Sequence, residues 1–200
     1  METRTMLFDR MSTLFAYPPP GYMCAVEDVR KAFVEKTPEA AAEMEAFEQG
    51  LKALEGSSVE ELFTRTFDLN PECCCEVGWH LFGERYDRGS FMVWMREEMR
   101  KYEVPETGEL PDHLVHVLRV LGRMEDSEAE RFATEAVTPT LKRMVGSIKD
   151  QDNPFRHLLT AVSTRLIAEF GGPKWTCEEG TWETREAAGA GQGNGNGGGE

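Results

Sequence analysis

Three consecutive cysteines and a nearby histidine are the first side chains in this sequence that could bind a metal. Cys73, Cys74 and Cys75 precede His80 by at least five positions. A structural metal site needs ligands that converge on one point, usually from C-x₂₋₄-C spacings. Adjacent side chains on a helix point about 100° apart, so three neighbouring cysteines do not converge. The run therefore favours small core residues with one exposed thiol over a metal site.

A second group, Asp112-His113 with His116, could serve in hydrolysis or in metal binding. Nucleophilic catalysis needs an activated Ser or Cys beside a His, and the sequence has no G-x-S-x-G elbow and no cysteine-protease signature. His113 and His116 are three residues apart and could share a metal on a helix, but no third ligand is evident. Two interpretations stay open for this group: a structural loop fixed by Pro111 and Asp112, and a loop that binds a partner.

Aromatic residues flank the polar connection 83–89 on both sides. Trp79 and Phe82 precede it, Phe91 and Trp94 follow it, and Tyr86 lies within it. Each of these aromatic residues, taken alone, can be explained as part of the hydrophobic core. A groove walled by Trp and Leu with acidic residues at its rim would instead suit an amphipathic peptide helix.

Helical periodicity runs through nearly the whole chain, and no segment alternates as a strand does. Residues typical of helix starts recur along it. They are Pro38, Ser57 or Ser58, Pro71, Pro111, Ser127 and Asn153. The pattern predicts eight or nine helices, and therefore a compact, single-domain all-α bundle over residues 1–171.

The apolar pattern stops after Gly171-Gly172-Pro173. Residues 172–200 are predicted to form a Gly-rich, disordered tail, because they bury too little apolar surface to offset the entropy of ordering. Trp175 and Trp182 are exceptions, and they either dock on the body or mark a short binding segment.

The chain is strongly acidic, with a formal net charge of −14. Such a chain repels phosphate backbones, which argues against nucleic-acid binding, and it attracts basic partners. The alternative interpretation is that the negative charge only keeps the protein soluble. No apolar run approaches the ~20 residues that span a bilayer, and the first residues have no signal-peptide pattern. The sequence therefore predicts a cytoplasmic protein with no membrane span and with reduced thiols.

Two motifs occur in order along this helical, acidic chain. The first is Trp79-His80-Leu81-Phe82-Gly83 with Arg85 and Arg88-Gly89, and the second is Glu109-Leu110-Pro111-Asp112-His113-Leu114 with Val117-Leu118. The pattern continues through 132–141 and Asn153-Pro154-Phe155. On these residues the chain resembles the NarJ/TorD family of redox-enzyme maturation chaperones, also called the nitrate reductase delta-subunit family, over about residues 6–170.

The resemblance implies a NarJ/TorD-like helical protein without catalytic chemistry of its own. Its partner would be the apo catalytic subunit of one molybdopterin oxidoreductase, often bound through the N-terminal leader. The family holds that subunit while the molybdenum cofactor is inserted and delays export or membrane docking until then. It implies no tightly bound cofactor, at most a transient contact with the client's molybdenum cofactor. A monomer is expected, with a helix-swapped dimer as the alternative.

The motif residues are the candidates for binding the partner and its leader peptide. They are Trp79, His80, Phe82, Arg85, Tyr86, Glu109, Pro111, Asp112, His113 and His116. The chain departs from the family pattern in its cysteine run and its Gly-rich end. Two other hypotheses stay open: a helical adaptor or regulator of another partner, and a metal-dependent hydrolase that uses His113, His116 and a cysteine or carboxylate.

Overall fold

A computed structural model describes residues 3–54 and 58–174 of the chain. Its α-helices are α1 (Arg4–Thr13), α2 (Tyr22–Val34), α3 (Pro38–Lys52), α4 (Val59–Phe63), α5 (Val77–Phe82), α6 (Asp87–Lys101), α7 (Leu114–Leu121), α8 (Asp126–Phe132), α9 (Thr138–Ser147) and α10 (Phe155–Phe170). Since α8 continues into α9, the described part of the chain forms nine helices and contains no strand. The predicted all-α fold is confirmed. The alternative cap Ser57, both tail tryptophans and nearly all of the Gly-rich tail lie outside the described residues.

Two π-helical turns interrupt the regular helical pattern. One, Thr64–Asp68, extends α4, and the other, Ala133–Val137, joins α8 to α9. The second turn lies directly before Pro139, which has no N–H and whose ring would clash with the carbonyl one helical turn earlier. A local change of helical pitch relieves that conflict, so the chain passes Pro139 without ending the helix.

The core is built around phenylalanine. Phe67 and Phe155 meet edge to face with ring centroids 5.0 Å apart, and Phe47 lies 5.3 Å from Phe155. Phe63 contacts both Phe67 and Phe155, at 5.0 and 5.7 Å. Each such pair adds roughly 0.5–1.5 kcal/mol beyond the area it buries. This cluster joins α3, α4 with its π turn, and α10.

Several predicted helix starts are confirmed. Pro38 is the first residue of α3. Ser58 accepts a hydrogen bond from the Glu61 backbone N–H at 3.1 Å and caps α4. The Asn153 side chain accepts from the backbone N–H of Phe155 at 3.0 Å, where α10 begins. Local capping interactions determine where these helices begin, and the capping residues can be identified from the sequence.

Two predicted starts are wrong. The helix expected from Pro71 begins only at Val77, so the three cysteines lie in the turn before it. The helix expected from Pro111 begins only at Leu114, with His113 as its N-cap. In both places the proline lies in a turn, and the residue just before the helix, Glu76 or His113, is held extended by a long-range contact.

That contact is an isolated antiparallel bridge between Glu76 and His113. The backbone N–H of Val77 donates to the carbonyl of Asp112 at 2.8 Å, and the N–H of Leu114 donates to the carbonyl of Cys75 at 2.9 Å. These bonds satisfy backbone groups just before α5 and just before α7. They also place the two sequence motifs side by side.

Candidate functional site

The loop before α7 is shaped by His116, which is fully buried. Its Nδ1 lies 2.9 Å from the carbonyl oxygen of Leu110, and its Nε2 accepts from the backbone N–H of Thr107 at 3.2 Å. The backbone N–H of His113 also donates to the Leu110 carbonyl, at 3.0 Å. His116 therefore anchors the second motif from beneath and has no free ring nitrogen for a ligand.

His113 caps α7 with one ring nitrogen and turns the other toward Glu109. Its Nδ1 accepts from the backbone N–H of Val115 at 3.2 Å, which assigns the ring hydrogen to Nε2. Nε2 lies 4.0 Å from Glu109 Oε2, beyond hydrogen-bond reach. Burial lowers the pKa of His113 to about 4, with His116 adding to the effect and Glu76 opposing it. The ring is therefore neutral at pH 7.

Asp112 links the second motif to the first. It is fully buried, and its Oδ2 accepts from Arg88 Nε at 3.0 Å. Burial raises the pKa of Asp112, although Arg88 acts in the opposite direction. The Arg88 guanidinium in turn lies over the Trp79 ring, 5.6 Å from its centroid. One buried carboxylate thus holds α5, α6 and the loop before α7 together.

Gly78 makes this arrangement sterically possible. A Cβ at this position would lie 2.6 Å from Asp112 Oδ2 and 2.9 Å from Phe91 Cδ1. Real Cβ atoms essentially never come this close, so the position just before the first motif needs glycine for close approach.

His80 and the cysteines make internal contacts. His80 is buried, its Nε2 lies 2.8 Å from the Cys74 carbonyl, and burial lowers its pKa. Cys73 and Cys75 are buried and Cys74 is half-buried. Burial raises the pKa of Cys73 to about 11 and that of Cys74 to about 12, so both thiols are protonated at neutral pH. Across the described ranges no three His, Cys, Asp or Glu side chains converge as metal ligands.

A cavity of about 260 Å³ opens beside the bridge between the two motifs. Aromatic side chains from two distant segments form its walls: Phe15 and Tyr17 after α1, and Phe63 and Phe67 of α4 and its π turn. Tyr17 packs edge to face on Phe63 with centroids 6.1 Å apart and is 58% exposed. Phe15, Phe63 and Phe67 are almost fully buried behind the cavity, so Tyr17 is the aromatic ring exposed at its mouth and the accessible lining is mostly polar.

Carboxylates line the same cavity. Asp68 comes from the π turn, Glu76 from the bridge, and Glu109 from the loop before α7. Its remaining lining residues are Cys74, Cys75 and His113. Sequence reasoning identified only Glu109 and His113 of this set. The other lining residues come from segments that are distant along the chain, and no local spacing connects them.

The remaining predicted site residues lie elsewhere. Phe82 is buried against Phe91, with centroids 5.7 Å apart, and Pro111 is buried in the loop. Trp79 is half-buried and its Nε1 donates to the Pro71 carbonyl at 3.0 Å. None of these lines the cavity.

Two further candidates, Arg85 and Tyr86, are exposed, and Tyr86 is 90% exposed. Arg85 lies between α5 and α6 and folds back on the end of α5, where its guanidinium donates to the carbonyls of Leu81 and Phe82. Neither residue lines the cavity. Partner binding by these residues stays a prediction.

The sequence profile described as "Nitrate reductase delta subunit" matches residues 31–161 of the chain. The match contains both motifs and the bridge between them, and it spans 131 of the 200 residues. The chain belongs to the nitrate reductase delta-subunit family. The resemblance seen in the sequence is thereby confirmed. None of the curated proteins that were compared matches the chain.

Membership of the delta-subunit family assigns a general role. This is a family of nitrate reductase maturation chaperones rather than catalysts, and its members act on a nitrate reductase catalytic subunit. Over residues 3–54 and 58–174, no helix is both long enough and apolar enough to cross a membrane.

Proposed function

We propose that this delta-subunit family member is a system-specific chaperone for the apo catalytic subunit of a molybdenum oxidoreductase. It binds the subunit through its N-terminal leader in the cytoplasm. It keeps the subunit open while the molybdenum cofactor is inserted, and it delays export or membrane docking until insertion is complete. The chaperone itself holds no cofactor tightly.

The observation that carries the proposal is the position of the second motif. Its residues Glu109 and His113 line a cavity that also has aromatic walls and further carboxylates. A concave, partly apolar surface with a few placed polar groups is what peptide recognition requires. The surrounding negative charge favours a leader that carries basic residues and raises its rate of association.

The arrangement supports binding rather than catalysis. Asp112, His116 and His80 are held in internal contacts, and the thiols of the cysteine run are protonated at neutral pH. The hydrolase hypothesis therefore finds no activated nucleophile or ligand set in the described part of the chain. The cavity instead provides a concave surface lined by carboxylates.

The test compares the catalytic subunit made with and without this chain. We expect the subunit from a deletion strain to contain little molybdenum and to regain it when the full chain is supplied from a plasmid. The apo-subunit should also co-purify with the chain. Full molybdenum loading in the deletion strain would contradict the proposal. Co-purification without an effect on molybdenum content would favour the adaptor hypothesis.

A further inference from the structure

We infer that a second cavity, between α1, α2 and α7, binds a small organic monocarboxylate through the guanidinium of Arg119. The cavity has a volume of about 430 Å³, which is in the range of small-molecule sites. Pro105, in the segment between α6 and α7, completes its lining. It shares no lining residue with the cavity beside the bridge, so the inference does not depend on the proposed function.

Positive charge is concentrated at this second cavity, although the chain as a whole is acidic. The sequence has 22 lysines and arginines against 36 acidic residues. The lining of the cavity instead contains three arginines, on α1 and α7, against two aspartates. The lining side chains therefore carry a net charge of +1, and such a site attracts an anion.

Arg123 and Asp9 neutralise each other within the lining. Asp9 Oδ1 accepts from Arg123 Nη1 at 2.5 Å, and Asp9 Oδ2 accepts from Arg123 Nη2 at 2.8 Å. Arg123 Nη1 also donates to the backbone carbonyl of Arg119 at 2.9 Å, one turn earlier on α7. Both oxygens of the Asp9 carboxylate are thus engaged by Arg123, and the charge of Arg119 is left for a ligand.

Arg119 is held in place by one hydrogen bond and has two unused nitrogens. Its Nε donates to the Oγ of the fully buried Ser12 at 3.0 Å, and Ser12 Oγ donates to the Asp9 backbone carbonyl at 2.7 Å. Within residues 3–54 and 58–174, Arg119 Nη1 and Nη2 have no hydrogen-bond acceptor and no ion-pair partner. A guanidinium fixed at Nε presents its two terminal nitrogens as a fork that matches the two oxygens of a carboxylate. Because the fork is oriented before the ligand arrives, binding costs little side-chain entropy.

The charges at the cavity favour a monoanion over a dianion. One carboxylate neutralises the net charge of +1, whereas a phosphate monoester with two charges leaves the site negative. Asp28 is exposed at the cavity and forms no ion pair among the described residues, so it repels a second negative charge on the ligand. The cavity is therefore better suited to a carboxylate than to a phosphate.

The rest of the lining requires an apolar body on the ligand. Most of the accessible lining is apolar; Ala25 and Pro105 belong to it, and the stems of arginine side chains are themselves apolar. A hydrocarbon body would remove this surface from water, while the carboxylate pairs with Arg119. The expected ligand is therefore a small aliphatic or aromatic acid.

The experiment is an NMR titration of the full, isotope-labelled chain with naphthoate, followed through the arginine Nε–H and backbone amide signals. Naphthamide is the matched ligand, because it keeps the shape and removes the charge. We expect naphthoate to shift the Arg119 Nε–H signal with a dissociation constant on the order of a millimolar or below, the range for a ligand of roughly a dozen heavy atoms. Naphthamide should bind about tenfold more weakly.

Three variants identify the site. R119K keeps the charge but loses the paired donors, so we expect it to bind naphthoate about tenfold more weakly, and a thermal melt checks that it folds. R100K is the matched control: Arg100 is exposed on α6 outside the cavity lining, and its replacement should leave binding unchanged. D28N removes an exposed, repelling charge and should bind naphthoate about twofold to threefold more tightly.

Four results would overturn the inference: equal affinity for naphthoate and naphthamide, wild-type affinity in folded R119K, an equal loss in R100K, or tighter binding of naphthyl phosphate than of naphthoate. If R119K does not fold, unchanged affinity in D28N overturns it instead. The peptide acetyl-Leu-Glu-Phe-amide and its Gln analogue test whether the carboxylate belongs to a protein. If the Glu peptide shifts the Arg119 signal and binds more tightly than both its Gln analogue and naphthoate, the cavity is a protein-docking site and the small-molecule assignment falls.

Discussion

Replacing Arg88 by methionine tests how the two motifs are held together. The Arg88 guanidinium is the cation beside Asp112, and only 20% of the Arg88 side chain is exposed. Asp112 Oδ1 already lacks a hydrogen-bond partner among the described residues. Methionine keeps much of the volume and removes the charge, so R88M leaves a fully buried carboxylate without compensation.

The expected loss of stability follows from these contacts. Breaking one partner of a buried ion pair costs about 3–5 kcal/mol, and the partial exposure of Arg88 places this case near 3 kcal/mol. The cation–π contact with Trp79 contributes about 0.5–1 kcal/mol of that. For a chain of this size the loss lowers the melting temperature by roughly 6–12 °C.

Urea unfolding followed by circular dichroism measures the effect at several pH values. Without its cation, the folded-state pKa of Asp112 lies still further above the unfolded value. The destabilisation is therefore present above that folded pKa and shrinks as the pH falls through it, because protonation removes the stranded charge. D112N in the same background should restore most of the stability at pH 8. Wild-type stability of R88M at pH 8, or no recovery in R88M/D112N, would refute the reasoning.

Two further substitutions probe the same region. G78A should destabilise the fold by about 1–3 kcal/mol in urea unfolding, because the new Cβ collides with Asp112 and Phe91. H113N keeps a side-chain acceptor for the helix cap but removes the imidazole. The folded pKa of His113 is about 4, against 6.5 for an unperturbed histidine. Wild-type stability should therefore fall by up to about 3 kcal/mol as the pH drops from 6.5 to 4, and H113N should lose that part of the pH dependence.

Each of these has its own control. At Gly89 on α6 an added Cβ meets nothing within 4 Å, so G89A should be neutral or slightly stabilising. Equal losses in G78A and G89A would mean that close packing at Gly78 is unimportant. His80 is also buried with a lowered pKa and contributes acid sensitivity of the same sign, so H113N removes only a share of it. An unchanged pH profile in H113N would show that this histidine titrates normally.

The helical architecture was predictable because it depends on local signals. Apolar periodicity identified the helices, and Pro38, Ser58 and Asn153 mark helix starts through capping chemistry visible in the sequence. The errors at Pro71 and Pro111 have one cause. Both prolines lie in turns, and both helices start only after the bridge between Glu76 and His113, a contact between distant chain segments that local propensity does not encode.

The site was only partly predictable for the same reason. Glu109 and His113 belong to a recognisable motif. Asp68 and Tyr17 carry no motif, and they reach the cavity through a π turn and through the turn after α1. His80, singled out by its motif, proves to be buried in contact with Cys74, since a motif marks a segment without telling which side chains face outward.

The central claim is that this chain recognises the leader of a molybdenum oxidoreductase through an acidic, aromatic-walled cavity. The most direct measurement is a calorimetric titration of that leader into the full chain at low and high salt. We expect a dissociation constant on the order of micromolar or below, and weaker binding at high salt because salt screens the carboxylates at the mouth. Absence of binding to the leader would contradict the central claim, even if the whole apo-subunit still bound.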